Sequence, residues 1–230
     1  MNMNLLPHER IILDLKGLPF HQMEKLAKRS QGKVRGFKVH TAVLEFGLPR
    51  VVESLRPFGT VMLDGKYCDT IDTVKEYARI ALANDVEFIT VHASGGRDMI
   101  AAAREVVEKG RRSKTKILAV LLLTSLRPKI IAALETCTRT TKVRVLENEA
   151  SLGGAHGIIY APADFGVFHT REYLMVATGI RLPEDASNDH EKTATPKEAI
   201  EAGAHLYVTG RPVVKACNFE SALRRYTLSN

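Results

Sequence analysis

The sequence predicts an α/β fold: one (β/α)8 (TIM) barrel domain spanning residues 1–230. Three observations carry this expectation. Short apolar segments recur at intervals of about twenty to thirty residues. A helical pattern follows each of them, and no shift in composition divides the chain. A doubly wound open sheet would need unusually many parallel strands, and its dinucleotide fingerprint is missing.

The first strand is expected over residues 10–16, with a helix over 21–28. The second falls at 34–40 and its helix at 44–55. The third, 60–66, precedes a helix over 72–84 in which Val74, Tyr77, Ala78, Ala81 and Leu82 form one apolar stripe. The fourth is 87–92, followed by a helix over 97–108. The fifth, 116–123, is a continuous apolar run of the kind covered on both faces, with helices at 128–134 and 136–155 behind it. The sixth is 157–161, then a short helix over 163–168, and the seventh is 173–177. A long polar loop, 182–193, leads to Thr195-Pro196, a cap followed by the first helical position, where proline is tolerated. That helix runs to Ala202, the eighth strand is 204–209, and a last helix covers 219–226.

Composition narrows the function. Hydrophobic residues make up 45% and charged residues 26%, ordinary values for a globular domain. Neither a run of about eighteen apolar residues nor a signal-peptide core is visible, so the expectation is a cytoplasmic protein that does not span a membrane. Cys68, Cys137 and Cys217 fit no zinc or disulfide spacing. The net charge of +7 is spread along the chain with almost no interleaved aromatics, which argues against nucleic acid and for an anionic small molecule or a basic surface.

Catalytic groups of such barrels lie where the strands end. Here the third strand ends in Asp64-Gly65-Lys66-Tyr67-Cys68-Asp69. Residues two apart in a strand share a face, so Asp64 and Lys66 point the same way, whereas Asp69 falls on the loop. Taken alone, the cluster also fits a structural ion pair. The other ends, however, carry Asp14 and Lys16, Lys38, His92, Thr124-Ser125, Thr178-Gly179-Ile180-Arg181 and Gly210-Arg211. Many polar groups would therefore face one mouth. Gly179 and Gly210 would let backbone approach a ligand, and Arg181 or Arg211 would clamp an anion at the usual phosphate position, unless they are merely solvated.

These segments, with Thr90-Val91-His92-Ala93-Ser94-Gly95-Gly96, Thr195-Pro196 and Gly210-Arg211-Pro212, occur in the order that resembles the orotidine 5'-phosphate decarboxylase family, from about Ile11 to Ala216. The resemblance implies conversion of orotidine 5'-monophosphate to uridine 5'-monophosphate, the last step of de novo pyrimidine synthesis, with no cofactor and no metal. It implies Lys66 as proton donor to the C6 carbanion within an array of Lys38, Asp64, Lys66 and Asp69, with Asp64 beside the departing carboxylate. It further implies Asp14 on the ribose, Ser125 with Thr124 on the pyrimidine amide, and Arg211 with backbone of Gly179 and Gly210 on the phosphate. Asp69 and Thr73 would reach into the neighbouring subunit's site, making a homodimer with shared active sites.

The chain departs from that pattern at Gly65, where a bulky apolar residue is usual, at Thr70-Ile71 in place of Ile-Pro, and at Thr178 in place of proline. His190 stands where a glutamine bridges phosphate and base; an imidazole can donate to phosphate but cannot present both ends of an amide. Two other readings stay open. Magnesium-dependent keto-sugar-phosphate decarboxylases and aldolases share Asp-x-Lys-x-x-Asp. Near strand two, however, Glu45 is the one acid close by. A non-catalytic nucleotide-binding barrel is the second.

Overall fold

The computed structural model describes residues 4–110, 114–126, 128–135, 137–168, 173–186 and 192–228. Eight parallel strands close into a barrel in sequence order: β1 (Ile11–Asp14), β2 (Gly36–Val39), β3 (Thr60–Tyr67), β4 (Phe88–His92), β5 (Lys116–Val120), β6 (Gly157–Tyr160), β7 (Leu174–Ala177) and β8 (Leu206–Thr209). Closure is made by β8 pairing back on β1, with Ile12 opposite Val208. Every expected strand is present; β3 runs one residue further than expected, to Tyr67, and the others are shorter where the chain leaves the ladder.

Helices α1 (Phe20–Ser30), α2 (Ala42–Phe46), α3 (Leu48–Leu55), α4 (Ile71–Ala83), α5 (Gly96–Lys109), α6 (Pro128–Glu135), α7 (Arg139–Leu152), α8 (Pro196–Glu201), α9 (Arg211–Val214) and α10 (Phe219–Leu228) follow the strands. Two expectations are corrected. The helix read over 44–55 is two helices, because Gly47 takes a left-handed conformation at φ 80° and Pro49 starts a new first turn. The short helix read over 163–168 is a single 3-10 turn, Pro162–Asp164. The one-turn helix α9 was not expected. Thr195 caps α8 as anticipated: its hydroxyl accepts the Glu198 N–H at 3.2 Å, and the Glu198 carboxylate accepts the Thr195 N–H at 2.7 Å.

The period of two along each strand divides the core. One set of side chains, including Leu13, Leu63, Ile89 and Ile117, packs outward against the helices. The other set, Ile12, Met62, Phe88, Leu118, Val120, Ile159, Leu174, Val176, Leu206 and Val208, fills the barrel. Burying each large side chain stabilises the fold by about 1.5–3 kcal/mol. These inward rows position the site. Following them two residues at a time leads from Ile12 to Asp14, from Met62 to Asp64, from Phe88 to Thr90 and from Val208 to Gly210. The apolar plug thus gives way to polar groups at the C-terminal mouth.

Candidate active site

At that mouth lies a cavity of about 450 Å³, within the range of small-molecule sites. Asp14, Lys38, Asp64 and Lys66 line one side, and Val120, Ile159 and Val208 form an apolar wall. Thr124 and Ser125 come from the turn after β5, while Gly179, Gly210, Arg211 and Lys215 line the side fed by β7 and β8.

The charged groups form one network. Lys38 Nζ donates to Asp64 Oδ2 at 2.7 Å and lies 3.0 Å from Asp14 Oδ2. Lys66 Nζ donates to the same Asp64 oxygen at 2.6 Å. The other oxygen of Asp64 accepts the hydroxyl of Thr90 at 3.1 Å. That hydroxyl in turn accepts the backbone N–H of Lys66 at 2.8 Å. Two lysines face two aspartates, so the buried charge is compensated. Burial alone would push the Asp64 carboxyl up, but Lys38 and then Lys66 outweigh it and hold Asp64 well below the usual carboxylate range. Burial likewise acts to lower Lys38, and Asp64 and Asp14 more than offset it, leaving the ammonium raised. Both groups are charged at neutral pH.

Lys66 sits in a left-handed backbone conformation, φ 49°, inside a shift of the β3–β4 register between Leu63 and Tyr67. For a residue other than glycine this costs about 1–3 kcal/mol and persists only where the surroundings over-determine it, as they do at functional sites.

The structure therefore brings Lys38, Asp64, Lys66, Asp14, Thr124, Ser125, Gly179, Gly210 and Arg211 to one cavity. Gly210 permits the close approach of β8 to β1, since a Cβ there would lie 3.0 Å from that of Asp14. Asp69 and Thr73 lie apart from the residues lining this cavity. Asp69 is exposed and accepts the Thr70 N–H at 2.7 Å, and the hydroxyls of Thr73 and Thr70 are 2.9 Å apart. His190 lies outside the described residues. Both arginines line the cavity; Arg181 is only 5% exposed and donates to the carbonyls of Ile180 at 2.7 Å and Ala186 at 3.3 Å, bracing its own loop. Arg211 opens α9 at the cavity edge.

Sequence reasoning missed Thr90, His40 and Lys215. Thr90 and His40 were legible in principle, being two residues beyond Phe88 and Lys38 on inward rows; Lys215 follows a helix that left no periodic signal. His40 lines the cavity, and burial, then Lys66, push its imidazole below the ordinary range. His92, one of the expected strand-end groups, instead caps the turn that follows it, with Nδ1 accepting the Ser94 N–H at 3.3 Å. Among the described residues no group of three or more His, Cys, Asp or Glu side chains is arranged to hold a metal ion.

Comparison with known proteins places this geometry in context. Residues 10–226 match the model of the orotidine 5'-phosphate decarboxylase / HUMPS family. An orotidine 5'-phosphate decarboxylase of Carboxydothermus hydrogenoformans is 28% identical over 226 residues, 95% of this chain and 94% of that one. One of Chromohalobacter salexigens is 35% identical over 180 residues, 76% of each chain. The crystal structure of orotidine 5'-phosphate decarboxylase from Lactobacillus acidophilus superposes with a TM-score of 0.80 at 26% identity, covering 96% of this chain and 98% of that one. The chain belongs to the orotidine 5'-phosphate decarboxylase / HUMPS family.

Proposed function

We propose that this chain decarboxylates orotidine 5'-monophosphate to uridine 5'-monophosphate, the closing step of pyrimidine nucleotide synthesis, without metal or organic cofactor. The observation that carries the reading is the Lys38–Asp64–Lys66 network at the cavity, with Asp14 completing it. Family membership supports the substrate.

The chemistry follows from the charges. Breaking the C6–carboxylate bond releases carbon dioxide and leaves the electron pair on C6. An ammonium fixed beside that carbon stabilises the pair as it develops and then transfers its proton to it. Lys66 takes this role, because its Nζ is held by Asp64 at the cavity and solvent can restore the lost proton afterwards. Asp64, kept ionised by two lysines, lies beside the substrate carboxylate, where like charges favour its departure. The network fixes these charges relative to one another, so little reorganisation is left for the reaction itself.

The remaining roles divide by chemistry. Asp14 accepts ribose hydroxyls, and Thr124 with Ser125 reads the pyrimidine amide. Arg211 with the backbone of Gly179 and Gly210 holds the phosphate, and His190 adds a donor there. Asp69, exposed, and Thr73, half-buried in the first turn of α4, serve a second copy, giving a homodimer with shared sites.

An absorbance assay of orotidine 5'-monophosphate, with and without excess chelator, tests the reading. Turnover that is indifferent to chelator is expected. Turnover lost with chelator would favour the metal-dependent relatives, and nucleotide binding without turnover would favour a non-catalytic barrel.

A further inference from the structure

The backbone strain at Lys66 needs support from both sides of the strand. Thr90 holds the inward side through the Lys66 N–H. The outward side is covered by Tyr67. A Cβ built on Gly65 would lie 2.4 Å from Cζ of the Tyr67 ring and 2.6 and 2.7 Å from its two Cε atoms. The ring therefore folds back over the residue that separates Asp64 from Lys66. It is fixed there by Tyr77 of α4, stacked on it with ring centroids 4.0 Å apart and planes inclined by 21°. Tyr67 also re-enters the ladder opposite Val91, ending the register shift that contains Lys66.

We propose that Tyr67 is a positioning residue for Lys66. Its ring, clamped between Gly65 and Tyr77, locks the left-handed turn that aims the ammonium into the cavity, and position 65 has to be glycine for the ring to lie there. The proposal rests on the reading of Lys66 as proton donor. It accounts for a residue pair, Gly65 and Tyr67, that is outside the cavity lining yet sets the geometry of Lys66, which is part of it.

Four variants test it: Tyr67→Ala, Tyr67→Phe, Gly65→Ala and the double Gly65→Ala/Tyr67→Ala. A displacement of order 1 Å at a reacting group costs up to about a hundredfold, so kcat is expected to fall about 10- to 100-fold in Tyr67→Ala and in Gly65→Ala. Affinity for uridine monophosphate should stay within about threefold, since the phosphate and base contacts lie on other strands. Tyr67→Phe, which keeps the ring, restores most of the rate. The double variant falls no further than Tyr67→Ala, because the new methyl no longer has a ring to displace. The proposal is overturned if the two losses multiply in the double variant, if Tyr67→Ala keeps the wild-type kcat, or if rate and nucleotide affinity fall together. Should Tyr67→Ala not fold, Gly65→Ala decides alone, and a wild-type kcat there overturns the proposal. A wild-type chain that turns over nothing refutes the function reading instead. The Lys66 Nζ chemical shift then carries the test, expected to move in Tyr67→Ala and Gly65→Ala and to match the wild type in Tyr67→Phe. An unmoved shift in the first two overturns the positioning role.

Discussion

Replacing Thr90 with valine removes one hydroxyl and almost nothing else, yet that hydroxyl joins the two central residues of the site. Thr90 is fully buried, at 0% exposure. It donates to Asp64 Oδ1 at 3.1 Å and accepts the Lys66 N–H at 2.8 Å. A hydrogen bond to a charged group contributes about 1.5–3 kcal/mol, and stranding a buried N–H costs about 1–3 kcal/mol. Partial relaxation of the loop absorbs some of this, so Thr90→Val should destabilise the fold by about 2–4 kcal/mol, read as a shift in the urea midpoint at unchanged slope. If half of that loss is expressed in the aim of Lys66, kcat falls about 5- to 30-fold at 1.36 kcal/mol per decade. Thr90→Ser keeps both bonds and loses one buried methyl, so it should cost about 1 kcal/mol in stability and leave kcat within a few fold. A folded Thr90→Val with the wild-type kcat, or a serine variant as impaired as the valine one, would refute the reasoning.

Arg211→Ala removes the proposed phosphate clamp. One charge-assisted bond of about 1.5–3 kcal/mol corresponds to a loss of about 10- to 150-fold in kcat/KM, with uridine monophosphate binding weakened in parallel by calorimetry. Arg139 binds Asp164 through Nε at 2.7 Å and Nη2 at 3.0 Å and also donates to the Leu126 carbonyl at 2.9 Å, so it ties the loop carrying Thr124 and Ser125 to α7. Asp164→Ala leaves that part-buried guanidinium without its carboxylate and should cost up to about 3–5 kcal/mol by chemical denaturation. Burial, with Arg104 adding to it, pushes His156 down to about 4 in the fold, and its Nδ1 accepts the Ile117 N–H at 3.1 Å. The unfolded chain, near pKa 6.5, therefore takes up the proton first. The stability contributed by neutral His156 is complete above that value and lost progressively as pH falls towards 4. Urea midpoints between pH 7.5 and 5 should show a slope that His156→Gln flattens.

Much of this site was legible because strands alternate. Asp14, Lys38 and Asp64 occupy the same inward rows as Ile12, Gly36 and Met62, so periodicity brought them to one mouth, whereas Lys66 reaches it through the shifted register after Leu63. The same rule also reached Thr90 and His40, which were passed over because a lone threonine or histidine carries no signal in composition. What periodicity cannot supply is the use of a side chain in a loop. Arg181 and Arg211 read alike as anion ligands, and only the fold of residues 180–186 turns Arg181 towards backbone carbonyls. The break at Gly47 and the single turn at Pro162–Asp164 depend on local backbone geometry that a helical pattern overrides in the sequence. The positions of Asp69 and Thr73, off the cavity, follow from a loop and a helix start, and the role proposed for them rests on resemblance.

The central claim is that Lys66 delivers the proton to C6. The most direct measurement is single-turnover decay of orotidine monophosphate absorbance with wild type and Lys66→Ala, alongside binding of uridine monophosphate to both. The account predicts turnover by the wild type in excess chelator and none detectable in the variant, which still folds and still binds the product. Turnover by Lys66→Ala within about tenfold of the wild type, less than the 10²–10⁴-fold that positioned proton transfer contributes, would contradict it.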